Sequence, residues 1–132
     1  MEKVVRGLDN VGIAVRDLDR SLAFYCEQLQ LELAYRDDAS RSAGIYTGSS
    51  TVFVFETGGA DGPRRTGAYA TSATGIDHLS FAVEDVDVAY AALRQRGVDF
   101  FLEPEDADWG ARVCGCLDPN AIPIYFLRWA AE

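Results

Sequence analysis

The chain has 132 residues, of which 48% are hydrophobic, and its formal net charge is -9. A chain of this size buries about two-thirds of its extended surface on folding, so we expect one domain covering residues 1–132. Apolar runs fall well short of the ~20 residues that a membrane-spanning helix needs, and the acidic charge disfavours nucleic acid as a partner. The first residues lack the pattern of a signal peptide, so a cytoplasmic location is expected.

An internal repeat organises the chain. The stretch "GLDNVGIAV", from Gly7, returns as "GIDHLSFAV", from Gly75, with Asn10 in the first copy where the second has His78. Each copy then passes through an aspartate-rich step ("RDLDRS" and "EDVDVA") that is suited to capping a helix. Apolar residues at helical spacing predict helices over residues 18–29 and 86–96.

Three predicted strands follow each helix. They read "LELAYRD", "AGIYTG" and "STVFVFET" in the first copy, and "VDFFLEP", "ARVCGCL" and "IPIYFLRW" in the second. Both copies are therefore βαβββ modules, the first over about 4–57 and the second over about 76–130. The connecting loop, 58–75, is rich in small residues and is expected to be a flexible connection or a lid.

Alternation along the strands separates two faces of each predicted sheet. One face collects large apolar residues and is expected to lie under the helices: Val11, Ile13, Val15, Val52, Val54, Leu79, Phe81, Val83, Ile124 and Phe126. The other face mixes small and polar residues with a few aromatics: Asn10, Gly12, Ala14, Phe53, Phe55, His78, Ser80, Ala82, Tyr125 and Leu127. Such a face suits a ligand cavity, the alternative being close approach of another layer such as a second subunit.

Candidate ligand-binding residues follow from this second face. Aromatic side chains supply flat apolar surfaces, and the polar side chains supply hydrogen bonds that orient a ligand. The candidates are Asn10, Phe53, Phe55, His78, Ser80, Trp109 and Tyr125, with Tyr46 and Tyr69 as further aromatics. Core packing is the competing interpretation for each aromatic, and it is the one we adopt for Trp129.

Three cysteines are present, Cys26, Cys114 and Cys116. The last two alternate in a predicted strand, which places both thiols on one face. A pair of this kind without a second cluster of cysteine or histidine is weak grounds for a metal site. Reduced, partly buried thiols are expected.

Three segments resemble the vicinal oxygen chelate superfamily, which includes glyoxalase I, extradiol dioxygenases and bleomycin-resistance proteins. They are "LDNVGIAVRDLDRSLAFYCEQLQLEL", "GIDHLSFAVEDVDVAYAALRQRGV" and "WGARVCGCLDPNAIPIYFL". The resemblance covers almost the whole chain and implies an α+β fold, in which two βαβββ modules form a curled mixed sheet around a cleft with helices on the outer face. It also implies a homodimer.

The resemblance further implies where metal-dependent members bind a divalent ion, and those positions fall on Asn10, Phe53, His78 and Tyr125. A catalytic metal needs about three protein ligands, and of these four side chains only that of His78 is a good ligand. No cofactor is therefore expected. A one-residue shift in the last strand of the first copy is the alternative, since it would offer Glu56 with His78 to one divalent metal ion.

Two functions remain open. The first is metal-independent binding of a small aromatic, cationic or antibiotic-like molecule, similar to bleomycin-resistance proteins that sequester drugs. The second is a glyoxalase-like enzyme, an isomerase, lyase or dioxygenase, that uses a degenerate metal site with Glu56 or Glu103, or His78 as a metal-free acid or base.

Overall fold

A computed structural model describes residues 4–65 and 67–130. The chain divides into two compact units, Met1–Gly59 and Ala60–Glu132, which are described in turn. Their boundary falls within the predicted connecting loop, and a single domain over 1–132 stays a prediction. Within the described residues, no helix combines the length and apolar character needed to cross a bilayer.

The first unit is a βαβββ module, as predicted. Its elements are β1 (Asn10–Val15), α1 (Leu18–Leu22), a π-helical segment (Ala23–Gln28), β2 (Glu32–Asp37), β3 (Ser42–Tyr46) and β4 (Thr51–Glu56). They form a four-stranded sheet in the order β1-β4-β3-β2. The β1–β4 pair is parallel and the other pairs are antiparallel, so the sheet is mixed.

The first helix begins where the sequence predicts. Asp17 is its N-cap, with an extended backbone and a carboxylate that accepts a hydrogen bond from the Arg20 amide at 3.1 Å. Leu18 and Tyr25 are fully buried, which confirms the apolar face of this helix. The wider π-helical turn, in which the Leu29 amide donates to the Phe24 carbonyl, is a feature that the apolar spacing does not predict.

Register in the first sheet agrees with the predicted faces. Val11 pairs with Val52 and Ile13 with Val54, and the β4 valines are buried. α1 contacts β4, so the apolar residues lie under the helix. The alternative register, which turned Val52 and Val54 to the opposite face, is therefore wrong, because a buried face fixes which side chains point inward.

The second unit repeats the architecture. Its elements are a 3₁₀ turn (Tyr69–Thr71), β5 (Leu79–Ala82), α2 (Val86–Gln95), β6 (Phe100–Asp106), β7 (Ala111–Leu117) and β8 (Pro123–Trp129). The sheet order is β5-β8-β7-β6, again with one parallel pair. Asp85 caps α2 by accepting from the Val88 amide at 3.0 Å, as Asp17 caps α1. The fold class is α+β with two βαβββ modules, which confirms the prediction.

The core of the second unit contains two of the cysteines. Cys114 and Cys116 pair with Phe126 and Ile124 across β7 and β8, and both thiols are fully buried and free of disulfides. Burial raises the pKa of Cys114 to about 11 and that of Cys116 to about 12. The predicted placement on one face is confirmed, and these thiols stay protonated at neutral pH.

One core prediction is wrong. Trp129, which we expected to pack in the core, is 61% exposed at the end of β8. Its ring packs edge-on against Trp109, which is also exposed, with ring centroids 5.2 Å apart. The strand continues past the edge of the buried core, so its last aromatic residue finds a neighbour on the surface instead.

Candidate functional site

Each sheet has one face that its own helix leaves uncovered. In the first unit we call this the helix-free face, and it carries Asn10, Gly12, Ala14, Phe53 and Phe55. The first three are exposed, and the two phenylalanines are half-buried with stacked rings, 5.6 Å between centroids at 29°. The face is therefore a flat aromatic surface beside residues that take little space.

Tyr35 is an aromatic residue of this helix-free face that the sequence analysis missed. It pairs across the sheet with Gly44, and a Cβ added to Gly44 would lie 2.3 Å from Tyr35 Cε1. Gly44 also pairs with Phe53, which places all three on the same face. The glycine between two aromatic strands was the available signal, but a register shift between Leu33 and Tyr35 hides the alternation.

Asn10 occupies the first position of β1, and its Nδ2 donates to Asp9 Oδ2 at 3.0 Å. The second unit has the same arrangement at the repeated position, where His78 Nδ1 and Asp77 Oδ2 lie 2.9 Å apart. The repeat thus preserves an aspartate that orients the following side chain, although that side chain is an amide in one unit and an imidazole in the other.

Asp77 holds one tautomer of His78. Hydrogen bonds from His78 and Ser72 lower the pKa of Asp77, so the carboxylate is charged and accepts the proton on Nδ1. The described residues give the other ring nitrogen, Nε2, no hydrogen-bond partner. His78 therefore keeps one nitrogen for a ligand or a proton, with its side chain one-third exposed.

Aromatic rings surround this imidazole, and we call the group the His78 cluster. The Tyr125 ring lies edge-on to His78 with centroids 4.9 Å apart, and the Tyr69 ring lies tilted at 5.9 Å. Phe101, also missed by the sequence analysis, packs edge-on against Tyr125 at 5.8 Å. Together with Asp77 these four side chains form the cluster.

Tyr125 is the buried member of the His78 cluster, at 7% exposure. Burial raises its pKa well above the ordinary range, and a hydrogen bond with Tyr69 acts in the same direction. The hydroxyl is therefore neutral at physiological pH, which makes it a weak metal ligand and a good hydrogen-bonding group. Ser80, a predicted binding residue, pairs with Tyr125 across β5 and β8 and is exposed.

The structure does not bring Trp109 to the His78 cluster through any ring contact among the described residues. Trp109 lies in the loop that joins β6 and β7, and its ring contacts that of Trp129 at the end of β8. Tyr46, another aromatic residue considered above, is exposed and donates its hydroxyl proton to the Gly48 carbonyl at 2.8 Å. Ligand binding by Trp109 or Tyr46 stays a prediction.

Glu56, the alternative metal ligand, is already engaged within its own unit. Its Oε2 accepts from the Leu18 amide at 2.8 Å and from Arg41 Nη2 at 2.7 Å. The hydrogen bonds from Arg41 and then Leu18 lower the pKa of the carboxyl group. Glu56 therefore links β4 to the start of α1, on the same face of the sheet as Val52 and Val54. Because its carboxylate is already hydrogen-bonded, it is a poor candidate for a metal ligand.

Of the four positions that the family resemblance assigns to metal ligands, only His78 offers a side chain that binds divalent metals well. Within the described residues, no three side chains of histidine, cysteine, aspartate or glutamate are arranged to hold a metal ion. At the positions that the family resemblance assigns to ligands, Asn10 donates to Asp9, Phe53 stacks on Phe55, and Tyr125 is a neutral phenol. Glu103, considered above as a further ligand, is exposed on β6.

Comparisons with known proteins agree with this architecture. The "Uncharacterized protein YraH" of Bacillus subtilis (strain 168) is 29% identical over 120 residues, which span 87% of this chain and 94% of that protein. The solved structure of a glyoxalase family protein from Enterococcus faecalis is 21% identical with a TM-score of 0.76, covering 93% of this chain and 98% of that one. A glyoxalase/bleomycin resistance protein/dioxygenase from Nocardioides is 22% identical with a TM-score of 0.71, covering 98% and 88%.

A family model gives the same result for the sequence itself. The model described as the Glyoxalase/Bleomycin resistance protein/Dioxygenase superfamily matches residues 7–126, from the start of the first repeat to the middle of β8. Since this match spans both βαβββ modules, the chain belongs to the glyoxalase/bleomycin resistance protein/dioxygenase superfamily.

Proposed function

We propose that the protein binds a small, planar aromatic molecule without a metal ion, in the manner of a sequestering or self-resistance protein. One observation carries the proposal: where metal-dependent relatives are expected to have a carboxylate, Tyr125 presents a ring packed against His78 at 4.9 Å. An aromatic ligand gains dispersion and apolar burial from such rings, and needs only a few polar groups to orient it.

The polar groups of the His78 cluster suit this role. Nε2 of His78 is available to accept one hydrogen bond from a ligand, because the proton of the ring is on Nδ1 and is bound to Asp77. The exposed hydroxyl of Ser80 lies on the strand next to Tyr125. In the first unit, Asn10 stands at the edge of the helix-free face with Phe53 and Phe55, which is a second aromatic surface of the same character.

The magnitude is sufficient for useful affinity. A ligand that removes about 400 Å² of apolar surface from water gains roughly 10 kcal/mol before the cost of association, which leaves micromolar binding within reach. The net charge of -9 favours a cationic over an anionic ligand through long-range attraction. A cationic, planar aromatic molecule is therefore the ligand class that we propose.

The test combines metal analysis with a binding screen. Protein purified without an affinity tag is assayed for zinc, nickel, manganese and iron, and then screened by thermal shift against planar aromatic cations with and without EDTA. We expect substoichiometric metal, stabilisation that EDTA does not change, and a ligand recovered intact. A stoichiometric metal whose removal abolishes stabilisation would contradict the proposal.

Two variants of the second unit sharpen this test. His78→Asn removes the imidazole, and we expect a loss of about tenfold or more in affinity. Tyr90→Phe is the matched control, because Tyr90 lies on α2 and packs against Phe100. No described ring contact joins Tyr90 to the His78 cluster. Equal affinities of the two variants would argue against binding at His78.

A second candidate function rests on the pair of Asp77 and His78. An aspartate that fixes the Nδ1–H tautomer leaves the lone pair of Nε2 as a base, which is what a metal-free isomerase or lyase requires. Here the test is product analysis. If a ligand from the screen is converted by the wild type and not by His78→Asn, the enzyme is favoured over the binding protein.

We also propose that the protein acts as a homodimer in the cytoplasm. Dimerisation follows from the family resemblance alone, and light scattering coupled to size exclusion tests it. Three free cysteines, two of them buried, suit a reducing compartment.

A further inference from the structure

Arg65 is an unusual residue for its position in a glycine-rich stretch of the second unit. Its side chain is only 8% exposed, whereas the neighbouring Arg64 is exposed. Arg65 donates from Nη1 to the Ala73 carbonyl and from Nη2 to the Ile76 carbonyl, the latter at 3.0 Å. A guanidinium that leaves water and bonds two carbonyls holds the backbone between them in one conformation.

The bonds from Arg65 to the Ala73 and Ile76 carbonyls span Tyr69 and lead directly to Asp77, two members of the His78 cluster. Tyr69, in the 3₁₀ turn, lies over the imidazole and is hydrogen-bonded to Tyr125. Asp77, directly after Ile76, accepts from the Ser72 hydroxyl at 2.9 Å and binds His78 Nδ1 through its other oxygen. Two neighbours of the imidazole therefore depend on the backbone that Arg65 holds.

Charge adds to this arrangement. Arg65 Nη1 lies 3.7 Å from Asp77 Oδ1, so the guanidinium favours the carboxylate form of Asp77. That carboxylate is the group that selects the His78 tautomer. The contact is longer than the two carbonyl bonds, and we assign to Arg65 chiefly a geometric role with an electrostatic contribution.

We propose that Arg65 is the positioning residue of the His78 cluster: its guanidinium joins the Ala73 and Ile76 carbonyls and so positions both Asp77 and Tyr69 against the imidazole. Arg65 acts through these neighbours and does not itself touch the His78 ring in any described contact. The proposal deepens the proposed function, since a correctly oriented Nε2 is what an aromatic ligand or a substrate would meet.

The test reads the imidazole directly in the free protein. His78 is the only histidine of the chain, so its ring nitrogens are assigned without ambiguity in a ¹⁵N spectrum. At pH 8 we expect the wild type to show one tautomer with the proton on Nδ1. Arg65→Ala should give a mixture in which the two nitrogen shifts move towards each other.

Arg64→Ala is the matched control, because it removes the same charge from the next, exposed position. We expect it to keep the Nδ1–H signature. Arg65→Lys keeps the charge without the planar fork, and we expect it to give the mixed signature too. A folded Arg65→Ala or Arg65→Lys protein with an unchanged tautomer would overturn the positioning role.

Folding failures are also informative. If Arg65→Ala does not fold, Arg65→Lys decides the question. Unfolding of both, with Arg64→Ala intact, would show that Arg65 holds the whole unit and would overturn a role specific to the site. Because no ligand is used, a screen in which no aromatic compound binds would sink the proposed function and leave this result standing.

Discussion

Replacing Gly115 by alanine tests the packing of the His78 cluster. Gly115 is buried on β7 and pairs with Tyr125. A Cβ at this position would lie 2.9 Å from Tyr125 Cδ1 and 3.0 Å from Phe101 Cζ, closer than side chains tolerate. Phe101 is half exposed and can swing outward, but Tyr125 is held by its contacts with His78 and Tyr69.

The magnitude is a difference of two effects. Overpacking a close-packed site costs about 1–3 kcal/mol. Alanine also restricts the unfolded chain more than glycine does, which contributes about 0.4–1 kcal/mol of stability at a compatible backbone. We therefore expect Gly115→Ala to lower the free energy of unfolding by about 1–2 kcal/mol, measured by urea unfolding, and to weaken any ligand that contacts the Tyr125 ring.

Two glycines of the first unit serve as controls. At Gly12 the nearest atom to an added Cβ is Phe55 Cε1 at 3.9 Å, an ordinary contact, so Gly12→Ala should be neutral or stabilising. At Gly44 the three atoms nearest to the added Cβ all belong to the ring of Tyr35, which is 50% exposed and can swing outward into solvent, so the cost should be smaller than at Gly115. Wild-type stability of Gly115→Ala, or a larger loss at Gly44 than at Gly115, would refute this reasoning.

Three other substitutions test the scaffold. The pKa of Glu56 is lowered in the folded state, so its contribution to stability is present above its unfolded pKa and is lost as the pH falls through the folded pKa. In urea unfolding from pH 7 to 3, the loss of unfolding free energy caused by Glu56→Gln should therefore shrink with acid. A loss that stays constant with pH would contradict the Arg41 pairing. Asp85→Ala should cost about 1 kcal/mol through the lost cap, with Asp99→Ala, exposed after α2, as control. Ala121 has φ of 61°, a left-handed backbone conformation that strains alanine by about 1 kcal/mol. Ala121→Gly relieves this strain, and since the relief exceeds the cost of the freer unfolded chain, the melting temperature should rise.

Much of the fold could be predicted because each sheet buries one face. Alternation assigned Ile13 and Val54 to the buried side, and the register between them agrees. The two capping aspartates were predictable for a local reason, since a side chain that caps a helix needs only its own next turn. The prediction that Trp129 is buried is wrong because alternation identifies a face of the sheet and does not say where along a strand the core ends.

The candidate site could be predicted only in part. His78 and Tyr125 follow from the repeat and from strand parity, which are short-range patterns. Tyr69 and Arg65 lie in a stretch without periodicity, and their contacts depend on how that loop folds back on its own unit. No pattern of residue types announces a buried arginine between glycines, so composition alone indicated only a flexible connection.

The exposed pair of Trp109 and Trp129 gives the chain a built-in spectroscopic reporter. These are its only tryptophans, and both lie in the second unit. Fluorescence excited at the indole band therefore follows the unfolding of that unit alone, whereas circular dichroism follows the backbone of both. Coincident transitions would establish that the two modules melt as one cooperative domain, and separated transitions would assign the order in which they melt.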